Sequence, residues 1–150
     1  MPLVVAGSGP RAVVTTASYE ARKYGVESAM PAARARALCP QAIFLAPDFP
    51  TYRAKSREVW DIVRARFETV GQVGIDEAYL DLSEHERPLP ALRALVAEVH
   101  ECTGLVVSVG VGPSRLVAKT ASAAFKPAAF VAIGREQAAA HFAGHPTRTL

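Results

Sequence analysis

Residues 74–83 read GIDEAYLDLS, and two carboxylates, Asp76 and Glu77, stand side by side inside them. The composition of 73–83 otherwise predicts a strand, or a hairpin. On a regular strand neighbouring side chains point to opposite faces. Glu77, Tyr79 and Asp81 then share one face, and Ala78, Leu80 and Leu82 the other. Asp76 and Glu77 can serve one cation only if the backbone turns or bulges, and Gly74 is the residue expected to permit that distortion. Hard oxygen donors of this kind suit Mg²⁺ or Mn²⁺. Two readings are open here, a solvated turn or a metal-binding pair.

Outward from this stretch the chain alternates strands and helices. Upstream, 51–68 predicts the clearest helix: Val59, Val63 and Phe67 recur every fourth residue beside Trp60, and the other face carries Arg53, Lys55, Arg57, Arg64 and Arg66. Downstream, Leu89, Leu92, Leu95, Val96, Val99 and Cys102 mark a second amphipathic helix closed by Gly104. "LVVSVGVG" (105–112) predicts a buried strand, "PSRLVAKTASAAFK" a helix opened by Pro113 or Ser114, "AAFVAI" a strand, and 135–143 a last helix. Towards the start, 3–6 and 12–17 predict strands split by the turn GSGP, 18–31 a loop with a helical turn, "PAARARALCP" a short helix and "AIFLAPD" a buried strand. From residue 42 the order is β, α, β(β), α, β, α, β, α, an α+β arrangement (an α/β sandwich) with helices packed on a sheet.

The 150 residues suffice for one ordinary domain; half are hydrophobic and 21% are charged, as in a soluble globular chain. No apolar run reaches the roughly 18 residues of a transmembrane helix, and the start lacks the basic and apolar regions of a signal peptide. Cys39 and Cys102 are isolated, which argues against a zinc site or disulfide framework and fits a reducing cytoplasmic setting. Residues 1–69 carry ten Lys and Arg against six Asp and Glu, while 70–150 carry seven against eight. A basic half beside a slightly acidic half hints at a polyanion near a metal; Arg-rich solvated helices give the same signal.

Other polar residues fit a phosphate ligand. "SYEARKYG" places Tyr19, Arg22 and Lys23 together; Arg22 can grip a phosphate bidentately and a tyrosine hydroxyl can donate one more bond. The plain alternative is a surface ion pair with Glu20. Lys126 ends a helix just before Pro127, where a lysine ordinarily complements the helix dipole.

Taken in order, "VVTTASYEARKYGVESAMP", "GIDEAYLDLS" and "SVGVGPSRLVAKTASAAFKP" resemble three successive motifs of the Y-family translesion DNA polymerases, of UmuC/DinB type. The resemblance runs through essentially the whole chain. It implies a ferredoxin-like polymerase palm, 1–11 and 51–150, with small fingers, 12–50. It implies that Asp76 and Glu77 bind Mg²⁺, two ions in an intact site, and that Thr16, Tyr19, Arg22 and Lys126 contact the incoming triphosphate. The implied partners are primer-template DNA and a deoxynucleoside triphosphate, with a sliding clamp for the full-length relative; no membrane is implied. The implied function is DNA repair by nucleotide insertion opposite damaged template bases.

The chain also departs from the family pattern. Family members begin with a palm strand that bears the first catalytic aspartate, and here no Asp occurs before Asp48. The thumb and little finger have no counterpart, with "HPTRTL" resembling the approach to the thumb. Gly74 replaces the usual Ser, "PSR" the usual Pro-Asn-Lys, and "KPAA" lacks the usual glycine. These departures imply a chain inactive by itself; the alternative is a non-catalytic DNA- or protein-binding module derived from such a polymerase.

Overall fold

The structure is a computed structural model that describes residues 1–143. The chain divides into two compact units, Met1–Thr51 and Tyr52–Leu150. The first takes in both the expected fingers, 12–50, and the 1–11 stretch expected in the palm.

In the first unit β1 (Leu3–Ala6) runs between β2 (Val14–Ala17), antiparallel, and β3 (Ile43–Leu45), parallel. Its core is built from small side chains: Val4, Ala6, Val14, Ala17, Ala21, Val26, Ala32, Ala35 and Cys39. Helix α1 (Tyr19–Arg22) is a single turn started by Ser18, whose Oγ accepts from both Ala21 N and Leu3 N. Helix α2 (Ala32–Leu38) follows Pro31 and buries the stripe Ala32, Ala35 and Cys39. The expectation of a buried strand at 42–48 is corrected: Ile43 and Leu45 are exposed, and Ala42 and Phe44 pack inward. β3 is an edge strand with one open face, so its side chains alternate between core and solvent.

Helix α3 (Phe49–Arg66) begins where Asp48 accepts from Thr51 N (3.2 Å) and Thr51 Oγ (2.6 Å). These bonds, the hydroxyl's first, hold the Asp48 carboxyl below its usual range. In the second unit α3 and α4 (Pro88–Thr103) bury Trp60, Val63, Phe67, Leu92, Leu95 and Val99 together. The α4 stripe follows the expected spacing, although Leu89 and Cys102 at its ends stay exposed. Gly104 closes α4 at φ 70°, donating its N–H to His100 O.

Against these helices lie the antiparallel hairpin β4 (Val70–Gln72) and β5 (Ala78–Leu80), and the parallel pair β6 (Val109–Val111) and β7 (Phe130–Ala132). Helix α5 (Arg115–Ala124) links β6 to β7, and Ser114 caps it by accepting from Val117 N. The two strand pairs are separate two-stranded sheets, joined through the shared helical core and not through a common ladder. The expected strand at 105–112 shrinks to Val109–Val111, with Leu105 and Val106 exposed, because β7 offers only three residues to pair with. The expected last helix is a 3-10 turn, Arg135–Gln137, followed by α6 (Ala138–Phe142). "HPTRTL" lies outside the described residues. Among the described residues no helix is long and apolar enough to cross a membrane.

Candidate functional site

The hairpin pairs Val70 with Leu80, Gly71 with Tyr79 and Gln72 with Ala78, so the chain reverses across 73–77. Asp76 and Glu77 therefore sit in a turn, where the strict alternation of a strand does not separate them. Two backbone amides, Val73 N and Gly74 N, donate to Glu77 O at 3.0 and 3.2 Å. Gln72 Nε2 donates to Gly74 O, and Ser56 Oγ reaches from α3 to Ile75 O. The turn is thus fixed by its own ladder and by one side chain from the helix beneath it. The expectation that Gly74 permits the distortion is corrected. Its φ is not in the left-handed region, and a Cβ there would meet Asp76 Oδ1 at 3.5 Å and Asp76 N at 4.0 Å, both ordinary contacts.

Asp76 is exposed and Glu77 half-buried. Glu77 forms an ion pair with Lys119 of α5. Beyond it, Arg115 lies 5.3 Å from the centroid of the Tyr79 ring. The Asp81 carboxyl is held below its usual range by the Ser83 hydroxyl, then by the Ser83 amide, with a further contribution from Arg115. Glu77, Tyr79 and Asp81 thus share the face that meets α5, while Ala78, Leu80 and Leu82 pack into the core, as the strand reading expected.

Lys119 and Arg115 were not singled out from the sequence. The signal was present: they are four apart, on one face of a helix whose Val117, Thr120 and Ala121 are buried. Their position depends on Gly110 and Gly112. A Cβ on Gly110 would fall 1.9 Å from Ala118 O, and one on Gly112 2.6 Å from Val117 Cγ1. Without those glycines α5 could not lie so close to β6.

In the first unit, Thr16 is exposed on β2, and Tyr19 and Arg22 are exposed on α1. Arg22 Nε donates to Ala17 O at 3.0 Å, and its guanidinium lies 6.0 Å from the Tyr19 ring centroid. One donor of the fork is used for positioning, which leaves the terminal amino groups for a ligand. Lys126 is exposed just past the α5 cap, Phe125.

For a divalent cation the donor set fits in kind. Asp76 offers a solvent-facing carboxylate and Glu77 one already engaged by an ammonium. Among the described residues no group of three or more His, Cys, Asp or Glu is gathered, and the donors they offer there are the adjacent pair. A six-coordinate ion bound there needs oxygen donors beyond these two carboxylates.

Residues 1–123 match the family model described as the impB/mucB/samB family. DNA polymerase IV of Stenotrophomonas maltophilia (strain K279a) is 47% identical over 130 residues, which cover 84% of this chain and 36% of that protein. DNA polymerase IV of Caulobacter vibrioides is 40% identical over 152 residues, covering 98% of this chain and 38% of that protein. Among solved structures, the insertion ternary complex of Dbh DNA polymerase matches with a TM-score of 0.83 and 32% identity, over 91% of this chain and 42% of that one. The chain thus spans under half the length of these relatives.

Proposed function

This chain belongs to the impB/mucB/samB family, of Y-family polymerase fold, and we propose on that premise that it is the palm-and-fingers part of a translesion DNA polymerase. The proposed palm is 1–11 and 51–150, and the proposed fingers are 12–50. The observation that carries this reading is the acidic pair on a pinned hairpin turn, with Glu77 held by Lys119. The proposed reaction is nucleotidyl transfer from a deoxynucleoside triphosphate to a primer 3′-hydroxyl on template DNA, including damaged template, in the cytoplasm. A sliding clamp is the proposed partner of the full-length protein.

In this reading Asp76 and Glu77 hold Mg²⁺. Bound there, Mg²⁺ would neutralise charge developing on the triphosphate and lower the pKa of the attacking hydroxyl. The chain's own residues do the rest. Asp76 presents its carboxylate to solvent without rearrangement. Lys119 balances the charge of Glu77 while no cation is bound, and competes with a cation for it. Thr16 and Tyr19 offer hydroxyl donors, and Arg22 and Lys126 offer charged donors, to the triphosphate oxyanions.

The test is paramagnetic broadening of backbone NMR signals by Mn²⁺, with and without a deoxynucleoside triphosphate. Signals of 73–77 should broaden first, and Asp76→Ala/Glu77→Ala should abolish the effect. Broadening spread evenly over the surface would sink the metal role of the turn. Primer extension with the same double variant as control reads activity separately.

A further inference from the structure

Away from the acidic turn, the second unit carries an open apolar groove of about 300 Å³. Val96, Ala97 and His100 of α4 line one side, and Leu105, Val106 and Phe130 stand among the residues of the other. Asp76, Glu77 and Lys119 are not among its lining residues. Val106 is 59% exposed, and Leu105 is exposed beside it. Both belong to the irregular segment 104–108 between α4 and β6, where no strand partner covers them. Apolar side chains exposed together at a groove, unlike those scattered singly, mark an interaction surface.

The charges of α4 say what fits there. Arg93, Ala97 and Glu101 are four apart and form one row along the helix, turned away from the buried Leu92, Leu95 and Val99. All three are exposed. The Arg93 guanidinium lies 4.2 Å from the centroid of the Phe130 ring, which holds it at the rim of the groove. Neither Arg93 nor Glu101 forms an ion pair with the described residues, and Glu98, the other carboxylate of α4, is taken by Arg66. At about 1.5 Å rise per residue Arg93 and Glu101 stand about 12 Å apart along the axis, too far to pair with each other. A positive and a negative charge thus flank Ala97 at equal distances of about 6 Å. Ala97 itself is small enough for a second helix to cross closely there.

We propose that this face binds a second copy of the chain, with the two α4 helices antiparallel about a twofold axis near Ala97. A twofold axis sets residue i against j and j against i. Arg93 of each copy then meets Glu101 of the other, and two charges without a counterpart inside the chain each gain one. An unrelated partner needs a matching pattern of its own, whereas a second copy supplies it by symmetry. A parallel pairing would set Arg93 against Arg93 and Glu101 against Glu101, so the charges also select the direction. The groove and the exposed Leu105 and Val106 of both copies are withdrawn from water together. Apolar contact supplies the affinity and the rim charges supply the register.

Sedimentation velocity of the 150-residue chain, without divalent cation or nucleic acid, reads the association. The chain should sediment as monomer and dimer, shifting towards dimer as its concentration rises. Arg93→Glu and Glu101→Arg each place two like-charge contacts in the interface, and each should raise the dimer dissociation constant about tenfold. Mixed in equal amounts, the two variants should recover the dimer, because one paired with the other restores both opposite-charge contacts. Both side chains are exposed, so each variant should melt like the parent, and Glu101→Arg leaves the Arg93–Phe130 contact untouched. A chain that stays monomeric up to its solubility limit overturns the proposal. A dimer that neither substitution weakens overturns this face as the contact. Variants that weaken the dimer singly and stay apart when mixed overturn the antiparallel arrangement. None of these outcomes bears on Mn²⁺ broadening at 73–77.

Discussion

The hairpin turn and helix α5 meet across the Glu77–Lys119 ion pair, yet they are held in place by different forces. The turn is held by hydrogen bonds: Ser56 to Ile75, Gln72 to Gly74, and two amides onto Glu77 O. Around Gly74 there is room to spare. Helix α5 is held by packing without slack, with the backbone of β6 directly under Ala118 and Ser122. Hydrogen bonds fix an exposed loop at low cost in buried area, whereas close packing fixes a helix and transmits any change in volume. The acidic pair therefore sits on the tolerant side and its cationic partners on the intolerant side.

A pair of substitutions tests this contrast directly and gives the largest expected effect. Gly110→Ala places a Cβ against Ala118 O and Ser122 N, which are backbone atoms that cannot swing aside. It should cost about 3 kcal/mol, at the upper end of overpacking effects. Gly74→Ser adds a larger group where only Asp76 is near, at ordinary contact distances, and should stay within about 0.5 kcal/mol. Urea denaturation of both variants reads the difference. Equal costs would mean that the two sides are held alike.

This asymmetry also governs what could be read from the sequence. The apolar periodicities of α3 and α4 are tertiary-independent signals, and Trp60, Val63, Phe67, Leu92, Leu95 and Val99 are buried as their spacing requires. The split of Glu77, Tyr79 and Asp81 from Ala78, Leu80 and Leu82 was legible for the same reason. Strand extent was not: Leu105 and Val106 read as strand by composition, but β7 provides no partner for them. Burial of β3 failed because nothing in "AIFLAPD" says that the strand is an edge. The Lys119–Glu77 contact spans 42 residues and rests on the closeness of Gly110 to α5, a fact of tertiary packing with no local signature.

The next effect is on the turn alone. Ser56→Ala removes the bond from α3 to Ile75 O and leaves the ladder intact. A net cost of about 1 kcal/mol is expected. Hydrogen exchange should accelerate at the amides of Val73 and Gly74 while α5 is unaffected. Acceleration throughout α5 would show that the two sides are coupled more tightly than the ion pair implies.

Lys119→Met breaks the link between the sides. The pair is partly open to solvent, so its loss should change stability by no more than about 1 kcal/mol. Its effect on Mn²⁺ should be opposite in sign. Freed of the ammonium, Glu77 should bind the cation more tightly, up to about fivefold for that energy. Weaker Mn²⁺ binding in the variant would instead make Lys119 a residue that positions Glu77 for the ion.

The smallest effect concerns Asp81, whose carboxyl is depressed first by the Ser83 hydroxyl, then by the Ser83 amide, and only then by Arg115. A depressed folded-state pKa stabilises the protein above the ordinary carboxylate value of about 3.9, and that contribution is lost as pH falls through the folded value. Ser83→Ala should return the Asp81 pKa towards its ordinary value, measured by NMR titration of the side-chain carboxyl carbon. Wild type and variant should differ in stability above about pH 4 and converge in stronger acid. Arg115→Ala should move the same pKa less, because its guanidinium acts from a distance across solvent. If Arg115→Ala moved it more, the charge of the hairpin would be set by α5 and not by the hairpin's own hydrogen bonds. The contrast between a self-held turn and a packed helix would then fail at the one residue where both act.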